Sequence, residues 1–257
     1  MSRTAAALVI TALAAGSAPA VEAGTPPRQA ADRQALLDHD RFGTWDLRLN
    51  LGNAVPCKSL DLSDYTFDNT TAPDDVRLGA ESEFGWHAGV QTTWQRHFWG
   101  ADGITLGWMA GFEAALDNHR GRIVTVSDQY GLLGDDEATL VCTAVSLSAL
   151  GGLVWRFDGD TINRLAPSRF QLELYPILGL GVARVDTDTA GLQASKNGLY
   201  LKYGGMLGAS MAIDERWRFG LAVGYQGFTA EVDWDDSDDG TAEGEGLVAQ
   251  ASLVFRL

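Results

Sequence analysis

The chain has 257 residues, with 19 Lys and Arg against 34 Asp and Glu, for a formal charge of −15. That balance repels phosphates and excludes a nucleic-acid partner. Beyond the N-terminus, no stretch approaches the roughly 20 continuous apolar residues of a membrane helix, which leaves a soluble protein or a β-barrel.

The N-terminus, "MSRTAAALVITALAAGSAPAVEAG", has one early cation, Arg3, an apolar run from Ala5 to Ala15, and small-residue sites at "APA" and "VEA". The run is too short to span a bilayer, and the pattern suits a cleaved secretory signal. The expected organisation is a signal peptide over 1–23, a periplasmic segment over 24–41 and one barrel over 42–257. The two cysteines, Cys57 and Cys142, could close a single disulfide in an exported chain or remain two thiols.

From residue 44 onward the sequence alternates. In "TWDLRLNLG", Trp45, Leu47, Leu49 and Leu51 share one strand face, while Asp46, Arg48 and Asn50 share the other. "SEFGWHAGVQTTWQ" sets Phe84, Trp86, Val90 and Trp94 against Glu83, His87, Gln91 and Gln95. "GITLGWMAGFEAALD" sets Leu106, Trp108, Phe112 and Leu116 against Gly107, Gly111, Glu113 and Asp117. The fourth segment, "LVCTAVSLSALGGLVWRF", is less regular, with Ser146, Ser148 and Arg156 on its polar face.

Four more segments follow. "FQLELYPILGLGVARV" opposes Leu172, Leu174, Leu178, Leu180 and Val182 to Gln171, Glu173 and Gly179, and Pro176, which has no ladder donor, predicts a local break. "GLYLKYGGMLGASMAID" turns Lys202 and Ser210 to the polar face, "WRFGLAVGYQG" turns Arg218 and Gln226 there, and the terminal "GLVAQASLVFRL" turns Gln250 and Arg256 there. Short connections alternate with long polar ones, the first long one running from Gly52 to Glu81; "GRIVTVSD" in the next reads as a strand extension outside the membrane.

An even count of alternating segments, short and long connections in rhythm, and aromatics toward strand ends together predict an all-β, eight-stranded, antiparallel up-and-down transmembrane barrel. Its apolar face meets lipid, and the sheet must close because hydrocarbon satisfies no backbone polar group. The stretch "YPILGLGVARVD", the strand–turn–strand "YGGMLGASMAIDERWRFGLAVGYQGF" and the alternating last strand resemble the small eight-stranded outer-membrane barrels, the OmpA-like and opacity-protein-like superfamily. This resemblance spans about residues 42–257. It implies an outer-membrane location in a Gram-negative-type bacterium, insertion by the barrel-assembly machinery, and lipid and lipopolysaccharide as surroundings. Such chains usually end in Phe or Trp; this one ends in Leu257, with Phe255 two before it.

Function is less legible. An interior polar network of Arg48, Glu83, His87, Gln91, Glu113, Glu173, Lys202, Arg218 and Arg256 is expected to plug the lumen, since eight strands enclose a space that side chains can fill. A small porin-like conductance is the alternative. The acidic stretch "EVDWDDSDDGTAEGE" offers Asp233, Asp235, Asp236, Asp238, Asp239, Glu243 and Glu245 for loose divalent-cation binding. As a calcium loop it fails, because Gly246 stands where the twelfth position needs a bidentate Glu. No other cofactor is expected. A hydrolase reading needs Ser146 or Ser148 to meet His87 and a carboxylate, and those strands are not neighbours. The expected role is therefore non-enzymatic, with the long acidic loops serving surface interaction or envelope integrity through an extracellular ligand.

Overall fold

The computed structural model describes residues 43–65, 74–101, 104–126, 139–157, 170–189, 192–214, 216–233 and 239–257. The expected signal peptide and the segment over 24–41 lie outside them. Among the described residues there are ten strands: β1 Thr44–Gly52, β2 Ser59–Tyr65, β3 Asp74–Ser82, β4 Trp86–Ala101, β5 Ile104–Val126, β6 Thr139–Phe157, β7 Phe170–Thr189, β8 Leu192–Ala212, β9 Trp217–Val232 and β10 Asp239–Arg256.

Eight of them close a ring. β1 pairs with β4, neighbours then follow in chain order from β4 to β10, and β10 returns to β1, every pairing antiparallel. This is the eight-stranded up-and-down barrel that the alternation predicts. The ladder between β6 and β7 skips at Gly151–Gly152 opposite Tyr175–Pro176, while Pro176 keeps its place opposite Gly205 on β8. That is the local break expected of a residue with no N–H to donate.

The first long connection is more than a loop. β2 and β3 form a hairpin that bridges β10 to β5 above the ends of β1 and β4. The wall is thus eight strands around at both levels, with the β2–β3 pair replacing β1 and β4 in the upper one. The predicted extension "GRIVTVSD" supplies the top of β5 that receives β3. The chain crosses between levels over Asn53–Lys58, where Cys57 N–H donates to the Arg120 carbonyl and Lys58 N–H to that of Glu243. Asn53 imitates a strand residue beside β10: its Oδ1 accepts the Ala249 N–H at 2.6 Å and its Nδ2 donates to the Leu247 carbonyl at 3.2 Å.

Side-chain polarity reverses between the levels. On β7 the outward residues from Leu172 to Val182 are apolar, and Leu178, Leu180 and Val182 are each at least 60 % exposed. At the usual tilt this run rises about 25 Å, the height of a hydrocarbon belt. Above it the outward positions become Arg184, Asp186 and Asp188. Inside, the order is opposite. Gln171 and Glu173 are buried low on the strand, and Ala183 and Val185 high on it. Along one ladder row the outward residues Leu116, Val145, Val182 and Leu199 are all apolar; two residues higher they are Asn118, Thr143, Arg184 and Asn197. Leu60, Leu62, Val76, Leu78, Ile123, Leu140, Tyr200 and Phe228 form the core of this upper collar. A membrane barrel with a polar interior therefore continues into a water-facing barrel with an apolar one.

At the short-turn end, aromatic rings gird the belt. Trp94 meets Trp108 edge to face at 4.6 Å, and Trp217 meets Phe255 at 4.8 Å. Tyr and Trp are favoured at such a boundary because one end of the ring is apolar and the other wet.

Candidate functional site

The lumen holds the densest constellation of chemistry-bearing side chains among the described residues. It has two layers. In the layer nearer the short turns, Arg48 on β1 donates from Nη1 and Nη2 to the two carboxylate oxygens of Glu173 on β7, each at 2.5 Å. Gln171 Nε2 donates to Glu173 Oε1 at 2.7 Å and to Gln95 Oε1 at 3.1 Å, and Gln95 Nε2 donates to Asp46 Oδ2 at 3.0 Å. Arg218 reaches the Ser210 hydroxyl and carbonyl at 3.3 Å, and Arg256 Nε lies 3.7 Å from Asp46 Oδ1.

The second layer centres on His87 of β4. Its Nδ1 lies 2.7 Å from Asp117 Oδ1, and its Nε2 lies 3.5 Å from Glu113 Oε1. Lys202, from β8, comes within 3.1 Å of Asp117 Oδ2 and 4.0 Å of Glu113 Oε2. Asn50 Nδ2 donates to both Glu113 Oε1 and Gln91 Oε1. Burying one charge alone would be prohibitive; here the Lys202 ammonium and the His87 ring are gathered tightly with two carboxylates, so that each group has a partner. A cavity of about 10 Å³ beside Arg48, Asn50, Glu173, Ser210, Gln250 and Ser252 offers about the room that one ordered water needs.

Above both layers, His119 caps the lumen. Nδ1 faces the Val55 carbonyl and Nε2 the Tyr200 hydroxyl, both at 2.9 Å, so a neutral ring that donates from Nδ1 accepts at Nε2. The ring stacks on Phe228 at 3.9 Å. His119 therefore ties the Asn53–Lys58 crossing to the far wall.

Eight of the nine residues expected in the lumen lie inside the barrel. Glu83 does not: it sits in the short coil between β3 and β4, exposed, because β4 begins only at Trp86. Asp46, Asp117 and His119 are buried partners that the sequence reading did not single out. The signal was there for the first two, since both lie on polar faces of regular alternation.

Cys57 and Cys142 are separate buried thiols, not a disulfide. Cys57 is bonded to one edge of β5, at Arg120, while Cys142 lies opposite His119 on the strand at the other edge. With β5 between them, their backbones stand about two ladder spacings apart, beyond the reach of an S–S bond. Burial pushes the Cys57 thiol up to about 12, and the neighbouring Glu243 charge adds to this.

Of the acidic stretch, Asp235, Asp236 and Asp238 lie outside the described residues. Asp233 and Asp239 are exposed. Glu243 lies 3.8 Å from Arg77 and Glu245 lies 3.6 Å from Lys58, so both face cations of the collar. Among the described residues no three His, Cys, Asp or Glu side chains are grouped to hold a metal. His87 and the two serines are not joined: the Ser146 and Ser148 hydroxyls have no hydrogen-bond partner among the described residues, and both ring nitrogens of His87 face carboxylates.

No protein-family model and no curated protein matches the sequence. Among solved structures, the chain is similar to the outer membrane protease OmpT from Escherichia coli, at 9 % identity and a TM-score of 0.44, covering 83 % of this chain and 97 % of that one. It is also similar to Neisserial surface protein A (NspA), at 13 % identity and a TM-score of 0.33, covering 83 % and 97 %. A third is Ail, the attachment invasion locus protein of Yersinia pestis, at 12 % identity and a TM-score of 0.31, covering 84 % and 99 %. The closed antiparallel ring of eight strands with an apolar outer belt is, by its own geometry, that of a transmembrane β-barrel. What marks this barrel is the pair of charged layers in its lumen and the apolar-cored collar above its lipid belt.

Proposed function

We propose that the barrel is a non-enzymatic protein of the Gram-negative outer membrane, with its short turns in the periplasm. The lumen serves as a structural plug, and the collar and long connections make surface contacts or support envelope integrity. The observation that carries this reading is the bridging of the lumen from wall to wall by Arg48–Glu173, beneath a collar closed by its own apolar core. A rigid, sealed frame that holds a charged rim above the belt presents that rim to an outside partner. Lipid and lipopolysaccharide surround the belt, and the barrel-assembly machinery would insert it.

The test is a pair of variants of the full chain. One replaces residues 234–238 by a Gly/Ser turn, and the other carries Glu243→Gln with Glu245→Gln. Cell-surface adhesion, divalent-cation binding and detergent sensitivity should change in at least one, with the heat-dependent gel shift intact. If all three stay at parental levels in both, the rim has no such role. Planar-bilayer recordings of the parent should show no steady conductance; a cation-selective current removed by Lys202→Met would establish the channel reading instead.

A further inference from the structure

β1 stops at Gly52, which pairs with Gln250 of β10 on one side and with His87 of β4 on the other. Above that row the crossing segment Asn53–Lys58 takes the strand's place, but it does not run in the plane of the sheet. Even-numbered residues of β10 face the lumen, as buried Val248 and Gln250 show. A Cβ at Gly244 would strike the Pro56 carbonyl oxygen, and one at Gly246 would lie 3.3 Å from Pro56 Cδ. The two glycines therefore let the segment cross on the lumen side of β10, and the edge of that strand stays open to the outside.

This edge is anchored at its two ends, by Asn53 at Ala249 and by the Lys58 N–H on the Glu243 carbonyl. Odd-numbered residues carry these bonds, so Glu245 and Leu247 turn their backbone groups the same way. Between the anchors only the Leu247 carbonyl is met, by Asn53 Nδ2 at 3.2 Å. Among the described residues, the Leu247 N–H and both the N–H and the carbonyl of Glu245 have no partner across the edge. Leu247 is the last apolar outward residue of β10 and Glu245 the first charged one, which puts the three groups at the upper boundary of the belt. Phe84, in the coil before β4, stands on the far side of the crossing segment. It and Leu247 are each 78 % exposed, so the collar covers neither.

We propose that this open edge holds a membrane lipid with an amide-linked acyl chain. Two N–H groups call for an acceptor and one carbonyl calls for a donor, where hydrocarbon offers neither. An amide linkage with a hydroxyl beside it supplies both kinds of group, whereas ester linkages supply acceptors alone. Lipid linkages lie between the hydrocarbon core and the headgroups, and the acyl chain below would run between Leu247 and Phe84 toward exposed Leu51. A peptide strand fits poorly, because Glu245 and Leu247 give it barely one ladder repeat before Asn53 and Lys58 close the two ends. The site goes beyond the surface role proposed above and does not depend on it.

The experiment uses the full chain folded in non-ionic detergent micelles and titrated with sphingomyelin or with phosphatidylcholine. These lipids share a headgroup and differ at the linkage, with an amide and a hydroxyl in the first and two esters in the second. The Glu245 and Leu247 amide resonances should shift saturably with sphingomyelin, at about fivefold lower concentration than with phosphatidylcholine of equal chain length, the worth of one more hydrogen bond. Phe84→Ser, outside every ladder, should weaken sphingomyelin binding severalfold. Leu247→Pro, which deletes a donor that no strand uses, should weaken binding of both lipids. Equal affinity for the two lipids overturns the proposal, as does an affinity unchanged in both variants. A shift no larger at Glu245 and Leu247 than at Arg184 and Asn197 on β7 and β8 also overturns it, since lipid then coats the wall without a site. So does slow amide exchange at Glu245 and Leu247 in lipid-free micelles, because the chain then closes the edge itself.

Discussion

Arg48 on β1 and Glu173 on β7 meet across the full width of the barrel: whichever way the ring is followed, four ladder steps separate their strands. A pair so placed is a strut through the lumen and not a brace along one wall.

Removing one partner leaves the other as an uncompensated buried charge. Glu173→Gln or Arg48→Met should each lower unfolding stability in micelles by about 3–5 kcal/mol, read from urea midpoints. Arg48→Met with Glu173→Met should recover most of that loss. Simple additivity of the two single effects would show that the contact does not bear on stability.

The buried thiols should be inert. With Cys57 pushed up to about 12 by burial, its reactive thiolate is scarce at pH 8. A thiol reagent should therefore label neither Cys57 nor Cys142 in the folded barrel and both after denaturation, and oxidised samples should show no intramolecular cross-link on non-reducing gels. Rapid labelling of folded protein would mean that the collar opens readily.

The crossing between levels can be loosened without touching the belt. Asn53→Ala deprives the Ala249 N–H and the Leu247 carbonyl of their partner, and His119→Ala deprives the Val55 carbonyl. Each lost hydrogen bond should cost about 1 kcal/mol. Amide exchange should accelerate at Ala249 in the first variant and around Val55 in the second, while amides of β7 keep their protection. Equal acceleration throughout would mean that the two levels open as one unit.

The turn between β8 and β9 offers a pH test. Asp214 Oδ1 accepts the N–H groups of Arg216 and Trp217, each at 2.7 Å. The Trp217 and Arg216 amides hold its carboxyl below the ordinary value of 3.8. A carboxylate lowered by folding contributes stability that is fully present above its unfolded value and lost as pH falls through the folded one. Asp214→Asn should thus differ from the parent at neutral pH, with the difference shrinking as pH drops below about 4. A difference independent of pH would assign the effect to the turn's shape alone.

The belt-level strands were legible because lipid imposes a strict rule on alternate residues: Leu172 to Val182 could face nothing else. The collar obeys the opposite rule, and its strands are short. Leu60 and Leu62 alternate with Asp61 and Ser63 as regularly as any belt residue, yet β2 spans only Ser59–Tyr65, too little to cross a membrane, and so it reads as loop. Glu83 was misplaced because the alternation runs on upstream of the strand, three residues before β4 starts at Trp86. Lys202 and Arg48 could be read as lumen residues, but their pairing could not. Asp117 and Glu173 face them from strands three and four ladder steps away, and alternation reports a residue's face without reporting what lies opposite it.

The reversal of polarity above Val182 also fixes the barrel's draught in the bilayer. Sinking by one dipeptide step would drag Arg184 and its row of polar neighbours into hydrocarbon; rising by one would lift Val145, Val182 and Leu199 into water. Where belt and bilayer differ in height, the lipid has to deform to meet this waterline, because the rigid wall can neither bend nor slide.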